Sequence, residues 1–130
     1  MVLVLHSNGG MVITEAAGGD KLAGLVYVCA FAPEQGESAF ALSTKFPGST
    51  LGDALAAGLP TDAPAWRSIP SWFVFGDEDL NVPVALHRFM ADRAGAKGIR
   101  EVPGASHALS VSQPEVVTTS ILDAMYAVGA

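Results

Sequence analysis

Ser7, Asp79 and His107 are the residues whose types and places along this chain suit one piece of chemistry. Ser7 lies one residue, His6, beyond the apolar run Val2–Leu5 and precedes Gly9, Gly10 and a helix-forming stretch. A serine set between strand and helix is held clear of the sheet by a sharp turn, where crowding demands small neighbours. Its hydroxyl is a weak nucleophile until a base removes the proton. His107 lies in the loop after the last predicted strand, and Asp79 in the loop after the third. An imidazole so placed takes the proton, and a carboxylate fixes its tautomer and stabilises its charged form. The order Ser, Asp, His is the one that successive strand ends of one hydrolase sheet supply. The helix behind Ser7 favours negative charge at its N-terminus, which makes the backbone N–H of Asn8 the natural donor to an oxyanion. The chemistry is acyl transfer through a serine.

Each of these residues has a plainer reading. A serine before a helix is commonly a cap, and a loop histidine is commonly just polar; it is their pairing that favours chemistry. Asp77 and Glu78 share a turn with Asp79 and compete for the acid's place, although Asp77 also suits shaping the turn. His6 is expected to pack beneath the turn and point away from it. His87 reads as a solvated helix residue, Trp66, Trp72, Phe73 and Phe75 as core, and Cys29, inside an apolar run, as a buried small hydrophobe. Phe31, at a strand end beside the turn, is the candidate for lining an acyl site.

The elements that must position these groups alternate. Val2–Leu5 reads as a strand apolar on both faces, as in parallel sheets. Met11–Ala17 follows as a helix closed by Gly18 and Gly19, then Leu25–Ala30 as a second strand. Residues 34–65, rich in Gly, Pro, Ser and Ala, form a lid-like excursion with short helical pieces near Ser38–Leu42 and Leu51–Ala57. Ile69–Phe75 is the third strand and Val84–Ala94 an amphipathic helix with Leu86, Phe89, Met90 and Ala94 on one face. Gly98–Val102 is the fourth strand. The last helix carries a capping-box pattern, Ser112 and Glu115 with Pro114 in the first turn. This order predicts a single α/β domain over 1–130: a mainly parallel sheet of about four strands flanked by helices, with its site beyond the strands' carboxyl ends.

Composition narrows the function classes. The 130 residues are half hydrophobic, with 13 acidic side chains against seven Lys and Arg and a net charge of −6. Those cations form no run, which excludes nucleic acid and anionic membrane as principal partners. One cysteine leaves no disulfide framework and no Cys-rich metal site. The apolar start lacks a cationic flank, so no signal peptide is read and a cytoplasmic location is expected. High apolarity in so small a domain predicts either a sheet buried on both faces or a second subunit.

Four segments carry a resemblance. Residues 4–16 (VLHSNGGMVITEA) resemble the nucleophile elbow of α/β-hydrolases. Residues 25–38 (LVYVCAFAPEQGES) resemble the following strand in the esterase branch that contains pyrethroid hydrolases, plant methylesterases and hydroxynitrile lyases. Residues 69–79 (IPSWFVFGDED) and 104–107 (GASH) resemble its acid and histidine loops. The resemblance runs from Val2 to the C-terminus, weakest across 34–65. It implies an esterase for small or medium acyl esters, without metal or cofactor, with Ser7 as nucleophile, Asp79 as acid, His107 as base and Asn8 at an oxyanion position. The chain departs from the pattern G-x-S-x-G at Leu5, which implies a strained or opened elbow. Met1 falls where that family has already placed its first strands and the loop with its second oxyanion donor. The resemblance therefore makes this chain roughly a carboxyl-terminal half, with Val2–Leu5 as an apolar edge that a homodimer would cover. Two other readings remain: a non-catalytic oligomerising module, and one half of a split hydrolase.

Overall fold

The computed structural model describes residues 1–15, 21–51 and 60–129. Four short β-branched and aromatic runs form strands β1 (Val2–His6), β2 (Gly24–Val28), β3 (Ser71–Gly76) and β4 (Gly98–Val102). They pair in the order β1-β2-β3-β4, all parallel. The central strands β2 and β3 are buried at every position, whereas β1 and β4 are edges. The register sets His6 beside Val28, Val28 beside Val74, and Gly76 beside Val102. The carboxyl ends therefore form one rim, and the loops leaving it carry the polar residues.

Helices cover both faces. Those described are α1 (Gly9–Thr14), α2 (Ala39–Ser43), α3 (Val84–Arg93), α4 (Leu109–Ser112) and α5 (Pro114–Ala127). Right-handed crossovers through a monotonic strand order all fall on one face. Accordingly α1 and α3 pack on the side bearing Tyr27 and Phe75. Thr14 Oγ1 lies 2.9 Å from the Tyr27 hydroxyl, and the His87 ring stacks on Phe75. The opposite face belongs to α5, which packs across all four strands. Trp66 hydrogen-bonds through Nε1 to the Pro33 carbonyl at 2.7 Å, tying the end of the excursion to the end of β2.

Several boundaries differ from the sequence reading. Helix α1 begins two residues earlier, at Gly9, and ends at Thr14 with Glu15 as its C-cap; the expected closure at Gly18 and Gly19, like most of the piece Leu51–Ala57, lies outside the described residues. Ser38 caps α2, its hydroxyl accepting from the Ala41 N–H at 3.2 Å. The capping box at Ser112 and Glu115 does not form. Ser112 instead ends α4, and Gln113, extended at φ −141° before Pro114, separates the two helices without a side-chain cap. A residue preceding proline is disfavoured in the helical region, which breaks the spacing that the box requires. No helix among the described residues is long and apolar enough to cross a membrane.

Candidate active site

Ser7 occupies the turn between β1 and α1 at φ +55°. A side chain rarely adopts this left-handed conformation, which costs on the order of 1–3 kcal/mol and persists only where the surroundings enforce it. Here the surroundings are explicit. The Ser7 N–H donates to the Val28 carbonyl at 3.2 Å, and the Ser7 carbonyl accepts from Gly10 and Phe31, each at 3.1 Å. Helix α1 then passes so close to the end of β2 that a Cβ on Gly10 would sit 1.9 Å from the Phe31 carbonyl oxygen. Glycine at position 10 is a packing requirement.

The loop after β4 is locked to the end of β3 in the same manner. A Cβ on Gly76 would meet the Ala105 carbonyl oxygen at 1.9 Å. The Glu78 N–H donates to that oxygen at 3.0 Å, and Asp77 Oδ1 accepts from the Gly104 N–H at 2.7 Å. These contacts deliver His107 to Ser7: its Nε2 lies 2.9 Å from Ser7 Oγ, and its Nδ1 lies 2.8 Å from Asp79 Oδ2. Of the three acids in the turn, Asp79 meets the imidazole, Asp77 braces the histidine loop, and Glu78 is exposed on the rim.

Asp79 is buried and fully engaged. Oδ1 accepts from the backbone N–H groups of Asn81 and Val82 at 2.8 and 2.9 Å; Oδ2 faces both His107 and His87, the latter at 3.0 Å. Burial alone would raise the carboxyl's pKa, but the hydrogen bonds of His107, His87 and Val82 outweigh it and hold the group well below the usual carboxylate range.

No family model matches the chain. Polyneuridine aldehyde esterase from Rauvolfia serpentina is 29% identical over 77 residues, which are 59% of this chain and 29% of that protein's length. The crystal structure of polyneuridine aldehyde esterase superimposes with a TM-score of 0.65 at 18% identity, over 94% of this chain and 70% of that one. A methylesterase from Arabidopsis gives 0.68 at 17% identity, over 96% and 69% of the two chains. A pyrethroid hydrolase from Sphingobium faniae gives 0.62 at 22%, over 94% and 69%. This chain has the α/β-hydrolase fold.

Within that hydrolase fold, the departure at Leu5 has a visible consequence. A Cβ on Gly9 would lie 3.0 Å from the Leu5 Cβ, so the leucine takes up the room that the glycine leaves. A pocket of about 530 Å³ opens beside the site, bordered by His6, His107, Glu78, Asn81, Leu80 and Val111. Leu80 and Val111 are largely exposed, which gives this pocket an apolar wall. The excursion is pinned to it: Ser49 Oγ donates to the Asn81 carbonyl at 2.7 Å, and the Thr50 N–H donates to the Leu80 carbonyl at 2.8 Å.

Three sequence expectations are corrected at this rim. His6 does not pack beneath the turn; it is exposed, with Nε2 2.9 Å from the His107 carbonyl oxygen and its ring 4.6 Å from the His107 ring. Phe31 has no exposed surface and belongs to the core, because the close approach of α1 seals the end of β2 over it. His87 is buried on α3 and bonded to Asp79, where the sequence reading had it solvated. The missed signal was helical spacing: 86, 87, 90 and 91 share the buried face, so His87 sits inside the stripe that the apolar residues define.

Cys29 is buried as expected, but at φ +44°, a second left-handed residue at a strand end. Its thiol lies within 4.8 Å of ligand atoms on two sets of neighbours, His6 with His107 and Asp79 with His87. Burial pushes the thiol up to about 12, so it stays protonated near neutral pH and is a poor metal ligand there. The other atoms of both sets already hydrogen-bond within the protein.

Proposed function

We propose that this protein is a serine carboxylic-ester hydrolase acting on small to medium acyl esters. The observation that carries the reading is the hydrogen-bonded series Ser7 Oγ to His107 Nε2 at 2.9 Å and His107 Nδ1 to Asp79 Oδ2 at 2.8 Å, built on a left-handed serine at the sheet's carboxyl rim. Among the described residues the exposed Asn8 donates its backbone N–H to no protein acceptor, which leaves it free for an oxyanion. The names of the similar proteins, two esterases and a pyrethroid hydrolase, point to the same bond type.

In this mechanism Ser7 Oγ attacks the ester carbonyl carbon as its proton passes to His107 Nε2. Asp79 stabilises the imidazolium, and the oxyanion is held by the Asn8 N–H. Collapse expels the alcohol, which leaves with the proton from His107, and Ser7 is acylated. Water then attacks the acyl carbon while His107 takes a proton from it. Release of the acid returns that proton to Ser7. One oxyanion donor supplies on the order of 3 kcal/mol.

The test is hydrolysis of a short p-nitrophenyl ester by the protein and by Ser7→Ala, with both shown to be folded by circular dichroism. The wild type turns over, and Ser7→Ala falls to the buffer rate. Equal rates in the two folded proteins contradict the reading and favour a non-catalytic module.

A further inference from the structure

We infer that His87 is a positioning residue, whose Nε2–H on Asp79 Oδ2 fixes the carboxylate that orients His107. The inference rests on the ester-hydrolase reading above for its effect on turnover, but its geometry stands independently.

Two histidines meet one carboxylate oxygen, His107 at 2.8 Å and His87 at 3.0 Å, while Asn81 and Val82 hold the other oxygen through backbone N–H groups. The backbone donors fix one end of the carboxylate. His87 supplies the fixed donor at the end that His107 uses. Its ring has little freedom: it is 1% exposed and stacks on Phe75 with centroids 4.6 Å apart and planes 8° from parallel. The His87 backbone N–H donates to the Pro83 carbonyl at 3.0 Å, which fixes the residue in the first turn of α3. Burial lowers the pKa of His87 more than Asp79 raises it, so the ring is neutral and carries one proton. Facing a carboxylate, that proton belongs on Nε2. The same carboxylate then places the proton of His107 on Nδ1, which leaves Nε2 as a lone pair for the Ser7 hydroxyl. The order of control runs from His87 to Asp79 to His107.

Two substitutions separate positioning from simple filling of the core. His87→Phe keeps a ring on Phe75 and removes both ring nitrogens. His87→Gln returns a neutral N–H at a reach close to that of Nε2. The measurements are kcat and KM on a p-nitrophenyl ester, and the downfield proton resonance of His107 Nδ1–H by NMR. We expect His87→Phe to lower kcat about tenfold or more with KM within about twofold, the scale that small misplacements of a catalytic group produce. The His107 proton moves upfield or vanishes in that variant, and both quantities return toward wild type in His87→Gln. An unmoved proton and unchanged kcat in folded His87→Phe overturn the inference. Should His87→Phe fail to fold, 15N-histidine spectra of the unaltered protein decide it: at neutral pH His87 must be the Nε2–H tautomer, and an Nδ1–H tautomer overturns it. If the wild type has no Ser7-dependent turnover, the hydrolase reading fails. The His107 proton then still judges the positioning role, because it is read without substrate.

Discussion

At the scale of single residues, the site is held by backbone approaches that tolerate no side chain and by a carboxylate whose two oxygens each accept two hydrogen bonds. Gly10 is the sharpest case. Any Cβ there would stand 1.9 Å from the Phe31 carbonyl oxygen, well inside contact distance, and the obstacle is backbone. Gly10→Ala must therefore push α1 away from the end of β2. It is expected to cost about 3 kcal/mol in urea unfolding, at the upper end for overpacking, and to lower ester turnover because the Ser7 carbonyl bonds are in the same turn. A loss below about 0.5 kcal/mol would mean that the turn relaxes freely. The residues of the series were legible from sequence because Ser7, Asp79 and His107 each directly follow or closely trail a strand-like run. His87 was overlooked: a histidine flanked by Arg88 looks solvated unless its helical spacing with Leu86, Met90 and Ala91 is read first. Phe31 failed in the opposite sense, since nothing in its local sequence reveals that α1 closes over it.

At the scale of elements, the excursion is fastened to the sheet by a small charged cluster. Glu37 Oε2 accepts from Arg93 at 2.8 Å and from the Glu34 N–H at 2.9 Å, while Oε1 meets Lys45 at 3.0 Å. Arg93, on α3, also donates to the Ala32 carbonyl at 2.9 Å, which joins the excursion to α3 and the segment after β2. Burial pushes the Glu37 carboxyl up, but the hydrogen bonds from Arg93, Glu34 and Lys45 outweigh it and hold it at about 2. The folded value lies below the unfolded one of about 4.3. The cluster's contribution is therefore fully present above that value and is lost as pH falls through about 2. Glu37→Gln is expected to cost about 1–2 kcal/mol near neutral pH, the scale of charge-assisted hydrogen bonds, and the gap from wild type should close between about pH 5 and pH 2. Chemical unfolding of both proteins across that range checks it; a gap constant with pH contradicts it. The strands and α3 were legible because their periodicity and length agree with their burial. The capping box was not, because Pro114 acts on Gln113 as well as on its own helix and splits the expected start in two.

At the scale of the molecule, the parallel order β1-β2-β3-β4 gathers three loops on one rim and leaves β1 as an edge. The parallel sheet and its flanking helices followed from the alternation of elements. Val2, Leu3 and Val4 are half-buried, and Leu5 is 36% exposed at the end nearest Ser7. Long apolar edges pair with other strands unless they are blocked. We propose that a second copy covers β1, and light scattering should give twice the chain mass for the wild type and a smaller species for Leu5→Lys. A wild-type monomer would remove this partner. The central claim is that Ser7 forms a covalent acyl intermediate, and intact-mass spectrometry after treatment with a fluorophosphonate reads it most directly. One adduct per chain, mapped to the peptide containing Ser7, absent in Ser7→Ala and slowed in His107→Ala, is the result that the account predicts. A folded protein that takes up no adduct, or takes it up equally without Ser7, would contradict it.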